Sequence, residues 1–183
     1  MFDLESMVHG RSIKVVATRQ ADQQESDVQR DVYDSHRHRV FALAFYMTGS
    51  ELEAEQILTT TFIDAFRTNA EPQAAQIDAF LVEKLRERFT LGELASCPDV
   101  KSLPAGTDIA GRNVRRTDLE EAIQELAATE RLVFLLRDVE GYTPAAICQL
   151  LDMPETKVQR ALFSARIQLR QILASQASEP KAA

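Results

Sequence analysis

The sequence predicts an all-α protein of two small helical domains, one a three-helix bundle and one a helix-turn-helix, joined by a flexible linker. Three observations carry this. Apolar residues recur at helical spacing in successive blocks between Val28 and Leu173. The blocks start and stop on residues suited to helix ends. A Pro/Gly-containing stretch with little periodicity separates the two groups of blocks. No segment makes a convincing sheet, although Ser12–Ala17 could form a short strand.

Taken in order, residues 1–27 read as a flexible N-terminal segment, with the polar run Gln20–Asp27 at its end. From Val28 the helical period takes over, with Val32, Val40, Leu43, Ala44 and Met47 on one face, and Gly49 stops the helix. Ser50-Glu51-Leu52-Glu53 is a capping box, in which the Ser hydroxyl and Glu carboxylate satisfy the first free amides. The second helix carries the stripe Ala54, Ile57, Leu58, Thr61, Phe62 and Ala65, and Pro72 marks its break. A third turns Ile77, Phe80, Leu81, Leu85 and Phe89 inward, closing a domain over residues 28–90. Residues 91–116 form the linker, with Gly92, Pro98, Pro104, Gly106 and Gly111.

The second domain, residues 117–173, opens with a further capping box, Thr117-Asp118-Leu119-Glu120. Leu119, Ala122, Ile123 and Leu126 form one stripe, and Leu132, Leu135, Leu136 and Val139 the next, ending at Glu140-Gly141. Thr143 suits an N-cap and Pro144 the first helical position, where no amide hydrogen is needed. Ile147, Leu150 and Leu151 bury that short helix, and Pro154 blocks its continuation. The last helix packs through Val158, Leu162, Ala165, Leu169 and Ile172, and residues 174–183 form a polar tail.

Two helices joined by the tight turn Asp152-Met153-Pro154 have the layout of a helix-turn-helix, whose second helix enters the major groove. That second helix collects Lys157, Arg160, Arg166 and Arg170 with no acid between them, in a chain of net charge −7. The acidic balance argues against a general basic coat, and the local reversal marks where a polyanion docks. At 100° per residue the outer face holds Thr156, Lys157, Gln159, Arg160, Phe163, Ser164 and Ile167, with Arg166 and Arg170 on a flank. Arg160 and Gln159 have donor geometries suited to guanine and adenine. Lys157, Arg166 and Arg170 suit phosphates, which position a helix without reading sequence. The bland alternative is a solvated basic face on a bundle. Phe163 and Ile167 leave open a thymine-methyl contact or, more commonly, a protein contact.

Other chemistry finds little support. Cys97 and Cys148 stand far apart and make no CxxC, so no disulfide framework or zinc site follows and a reducing compartment is the default. His36 and His38, two residues apart, fall on different faces of a helix, against metal ligation. There is no Gly-rich phosphate loop, GxSxG or HExxH, so no catalytic residues, metal or cofactor are assigned and the chain reads as a non-enzyme. No apolar run approaches a signal peptide or a membrane span, so the expectation is a cytoplasmic protein without membrane insertion.

The run Leu126-Ala127-Ala128-Thr129-Glu130-Arg131-Leu132-Val133-Phe134-Leu135-Leu136-Arg137-Asp138-Val139-Glu140-Gly141-Tyr142-Thr143 resembles the start of region 4 in extracytoplasmic-function sigma factors of bacterial RNA polymerase. Ile147 to Val158, with the LLxxP turn, and Leu162-Phe163-Ser164-Ala165-Arg166 continue the same pattern. Tyr33-Asp34 to Val40, Thr48-Gly49 and Glu53 to Arg67 are similar, more weakly, to sigma region 2. The resemblance spans roughly Asp31 to Leu173 and follows the family's order of region 2, linker and region 4.

The resemblance implies a promoter-specificity factor that supplies core polymerase with −35 recognition and takes part in transcription initiation. DNA contacts would fall to Thr156, Lys157, Gln159, Arg160, Ser164, Arg166 and Arg170. Contacts to the polymerase clamp would fall to Glu53, Glu55, Gln56, Thr59 and Thr60. The implied partners are bacterial core RNA polymerase and promoter DNA, with an anti-sigma factor left open. Departures are concentrated in region 2. Gln56, Thr59 and Thr60 replace acidic and amide residues of the clamp-binding helix. Phe80 stands at the tryptophan position, Leu85 and Glu87 fall at the small apolar and asparagine positions, and Phe89–Glu93 replaces a basic extension. These departures motivate an alternative: a sigma-like regulator or interaction protein that keeps the fold without opening promoters itself. In region 4 the turn glycine is Asp152.

Overall fold

The computed structural model describes residues 5–94 and 114–176, with side chains described from Gln23 onward. Among the described residues seven α-helices follow one another: α1 Glu5–Thr48, α2 Glu51–Thr68, α3 Ala74–Arg86, α4 Arg116–Glu125, α5 Ala128–Phe134, α6 Pro144–Leu151 and α7 Glu155–Gln176. A π-helical turn, Leu135–Val139, continues α5. Among the described residues there is no strand.

Helix α1 is far longer than its apolar period. It already runs from Glu5, so Ser12–Ala17 is helical backbone rather than a strand, and the N-terminal segment is helical from Glu5 on rather than irregular. Val40, Leu43, Ala44 and Met47 pack its C-terminal third into the core, and Gly49 ends it at φ +71°, a backbone angle only glycine adopts cheaply. The Ser50 hydroxyl accepts the Glu53 amide at 3.4 Å to start α2. Tyr33 of α1 meets Phe62 of α2 edge to face at 4.9 Å. Helix α3 begins with a capping box between Gln73 and Gln76 that the apolar pattern does not disclose. Ile77, Leu81 and Leu85 seat it against α1 and α2. Lys84 bridges to Asp64 of α2 at 2.9 Å, which holds the Asp64 carboxyl below its ordinary range.

In the C-terminal half α7 is the central helix, with α4, α5 and α6 packed on it. Helix α4 starts at Arg116 with Arg115 in the capping position, so Thr117 lies inside the first turn rather than capping it. At the other end α7 continues to Gln176, past the expected start of the tail, because Leu173 is still buried. Most of the expected linker, residues 95–113, and the tail residues 177–183 lie outside the described residues.

The two halves share one continuous apolar core. The end of α1 meets α4 and α5, and α3 meets α6. Polar bonds reinforce the seam. Arg131 of α5 donates to Met47 O at 2.6 Å and to Leu126 O at 2.9 Å, so one guanidinium closes the ends of both α1 and α4. Gln124 Nε2 donates to Tyr46 O at 2.7 Å. A side chain at Gly49 would meet Gln124 Oε1 at 3.1 Å, a second reason for glycine there. The Gly92 amide donates to the Thr129 hydroxyl at 3.0 Å. Across the centre, Arg39 of α1 and the Tyr142 phenol both donate to the Asp78 carboxylate of α3, and Arg39 also donates to the Tyr142 oxygen.

Candidate nucleic-acid interface

The turn between α6 and α7 is built by short-range chemistry. The Thr143 hydroxyl accepts the Ala146 amide at 3.2 Å and Pro144 occupies the first turn, so α6 starts without an unsatisfied proline position. Asp152 then adopts a left-handed conformation (φ 53°, ψ 51°), reversing the chain, while Met153 donates to Cys148 O at 3.0 Å. Met153 is buried beneath the turn. Pro154 O accepts the amides of Lys157 and Val158 at 2.9 and 3.1 Å, which starts α7.

The first turns of α7 leave Thr156, Gln159 and Arg160 exposed, with Lys157 half-exposed beside them. Gln159 Nε2 donates to Glu155 Oε1 at 2.9 Å, so its amide is held along the helix in the free protein. Arg166 and Arg170 are exposed on the flank. Arg166 is not free: it forms a two-pronged bridge to Asp138 of the π-helical turn, at 2.8 and 2.6 Å. The carboxylate raises the guanidinium's pKa and cancels its charge locally. Asp138 is a partner that sequence reasoning missed, although it stands in the RDVEG segment.

Two expected outer-face residues turn inward. Ser164 is 2% exposed and accepts from Gln168 Nε2 at 2.9 Å, and Ile167 is 7% exposed. Helices α4, α5 and α6 all pack on α7, so more of its surface is covered than one apolar stripe suggests. Ser164 is therefore removed from the DNA face, and Ile167 is buried rather than outward-facing. Phe163 stays 49% exposed, next to the basic face.

On α2, Glu55, Gln56, Thr59 and Thr60 are exposed along one side, flanked by Leu52 and Ile63, while Glu53 is half-buried. Arg88 ties down two of them, with 2.8 Å to Glu53 and 3.2 Å to Gln56. Thr60 donates to Gln56 O at 2.8 Å. Leu85, placed by the resemblance at a base-reading position, is fully buried and belongs to the core. Among the described residues no group of three or more His, Cys, Asp or Glu side chains is arranged to hold a metal ion. None of their helices is long and apolar enough to cross a membrane.

Residues 116–169, which contain the whole helix-turn-helix, match the family described as sigma-70, region 4. The extracytoplasmic-function RNA polymerase sigma factor SigE of Mycolicibacterium smegmatis is 27% identical over 156 residues, 79% of this chain. Residues 116–169 are thus a sigma-70 region 4 segment, and over most of its length the chain is similar to an extracytoplasmic-function sigma factor. It spans 61% of the length of that curated relative. The fold of the chain is similar to that of the sigma factor RpoE of Bartonella quintana, solved in complex with the anti-sigma factor NepR. The TM-score is 0.52, over 88% of this chain and 99% of that one, at 14% identity.

Proposed function

We propose that this chain works in the cytoplasm, directing bacterial core RNA polymerase to promoters through −35 recognition by α7 in transcription initiation. One observation carries the reading. Thr156, Lys157, Gln159 and Arg160 form the exposed start of the second helix of a helix-turn-helix, inside the segment that matches sigma region 4. Arg160 reads a guanine edge and Gln159 an adenine edge once it leaves Glu155. Lys157 and Arg170 contact phosphates. Glu55, Gln56, Thr59 and Thr60 face the polymerase clamp, with Glu53 at their margin. The protein lends specificity and the polymerase does the chemistry. The solved neighbour's anti-sigma partner supports a similar partner here.

The direct test is capture of bacterial core polymerase by the full chain at low salt, followed by transcription from a promoter selected with the complex. Failure to bind polymerase under those conditions overturns the proposal. A second reading, a sigma-like regulator that does not open promoters, is favoured by Phe163 exposed beside the basic face. In that case Arg160→Ala leaves partner binding intact, whereas under the first reading it weakens −35 binding by about 1–3 kcal/mol.

A further inference from the structure

Helix α7 opens with an acid. Glu155 is exposed in its first turn, and Thr156, Gln159 and Arg160 follow it on the surface. A carboxylate there suits the positive end of the helix. That role asks nothing of the side chains around it. Yet Glu155 Oε1 accepts from Gln159 Nε2 at 2.9 Å, one turn on. Before DNA arrives, each side chain gives the other a partner.

Entry into a major groove breaks this pair and sets terms for both members. Four residues at ~1.5 Å each place Glu155 about 6 Å from Gln159 along the same face. That is a little under two base-pair steps of ~3.4 Å. When Gln159 turns to an adenine edge, it takes its donor away from Glu155. The carboxylate is then left at the base edges, partly stripped of water and without a donor. An ionised carboxylate only accepts, so guanine N7 and O6 and thymine O4 repel it. Two kinds of amino group line the groove. Adenine N6 sits between two acceptors, N7 of its own base and O4 of the paired thymine. Cytosine N4 has an acceptor on one side and an apolar C–H edge on the other, so it suits a carboxylate better.

We propose that Glu155 is a specificity-determining residue of α7, selecting a cytosine one or two base pairs from the adenine read by Gln159. The assignment rests on the promoter function proposed above. The two preferences are coupled, because Glu155 deprived of its cytosine holds Gln159 back from the adenine. The experiment selects duplexes from a randomised pool with the full chain at low salt, alone and with bacterial core RNA polymerase. Single-base variants of the selected site are then titrated with wild type, Glu155→Ala and Glu155→Gln. For wild type, replacing the cytosine should weaken binding about tenfold. Replacing cytosine and adenine together should cost less than the product of the two single losses. Glu155→Ala should bring all four bases at the cytosine position within about twofold of one another, with the adenine preference kept. Glu155→Gln should move that position from cytosine to adenine, because an amide both accepts from N6 and donates to N7. An acid that only stabilises the helix start would lower the melting temperature when replaced and leave every base preference alone. That result, a uniform loss across all bases, or a selected site with no such cytosine overturns the assignment and leaves the promoter reading in place. If wild type selects no duplex with or without polymerase, the promoter reading fails and the assignment falls with it.

Discussion

Arg160 and Arg166 carry the same charge on one helix, yet their surroundings give them different work. Arg160 is exposed, and among the described residues no acid pairs with it, so its donors are available to a base edge. Arg160→Ala should cost about 1–3 kcal/mol in duplex binding and relax the preference at one base position, as read by a binding assay on single-site operator variants. Arg166 spends two of its donor groups on Asp138 and has its charge cancelled. Among the described residues Lys157, Arg160 and Arg170 then remain as cations of α7 with no ion pair. The slope of log affinity against log salt should be roughly −2.7, from about −0.9 per contact, rather than the value for four. Arg166→Ala should leave that slope nearly unchanged while lowering the thermal midpoint. A slope that falls by a full contact would show that Arg166 reaches a phosphate after all.

At the scale of elements, the turn of the helix-turn-helix rests on a non-glycine residue in a left-handed conformation. Asp152 is tolerated there because Asp enters the left-handed region at less cost than most side chains, where a methyl group is simply strained. Asp152→Ala should lower stability by about 1 kcal/mol, and Asp152→Gly should fall within about 0.5 kcal/mol of wild type. Urea unfolding of the full chain separates the two outcomes. Elements with a clear period were legible from sequence: the stripe of α2 and the Thr143–Pro144 start of α6 are where their residues place them. The length of α1 was not, because its N-terminal residues have no apolar period to announce a helix. Nor was the inward turn of Ser164 and Ile167. An angular plot of one helix holds no information about how many neighbours press on it.

For the molecule as a whole, the seam between halves was invisible in the sequence. Arg39, Asp78 and Tyr142 lie 39 and 103 residues apart in their pairings, and each alone reads as an ordinary polar residue. The seam should also set a pH dependence. The Glu140 carboxyl is raised by burial, so its ionised form costs stability in the folded state, and that cost grows as pH rises through its folded pKa. Glu140→Gln should therefore raise the melting temperature at pH 7, and the gain should vanish once the pH falls below the ordinary carboxylate range. Melts at the two pH values check it; an equal gain at both would rule out titration as the cause. The π-helical turn Leu135–Val139 has a different kind of consequence. Such a turn is an α-helix carrying one surplus residue. Because the wider turn absorbs that residue, removing it would restore the regular ladder while leaving Tyr142 and the helices beyond it facing much as before. Over an evolving lineage this stretch is therefore one of the few helical places where a single residue can be gained or lost without turning α6 and α7 away from their partners.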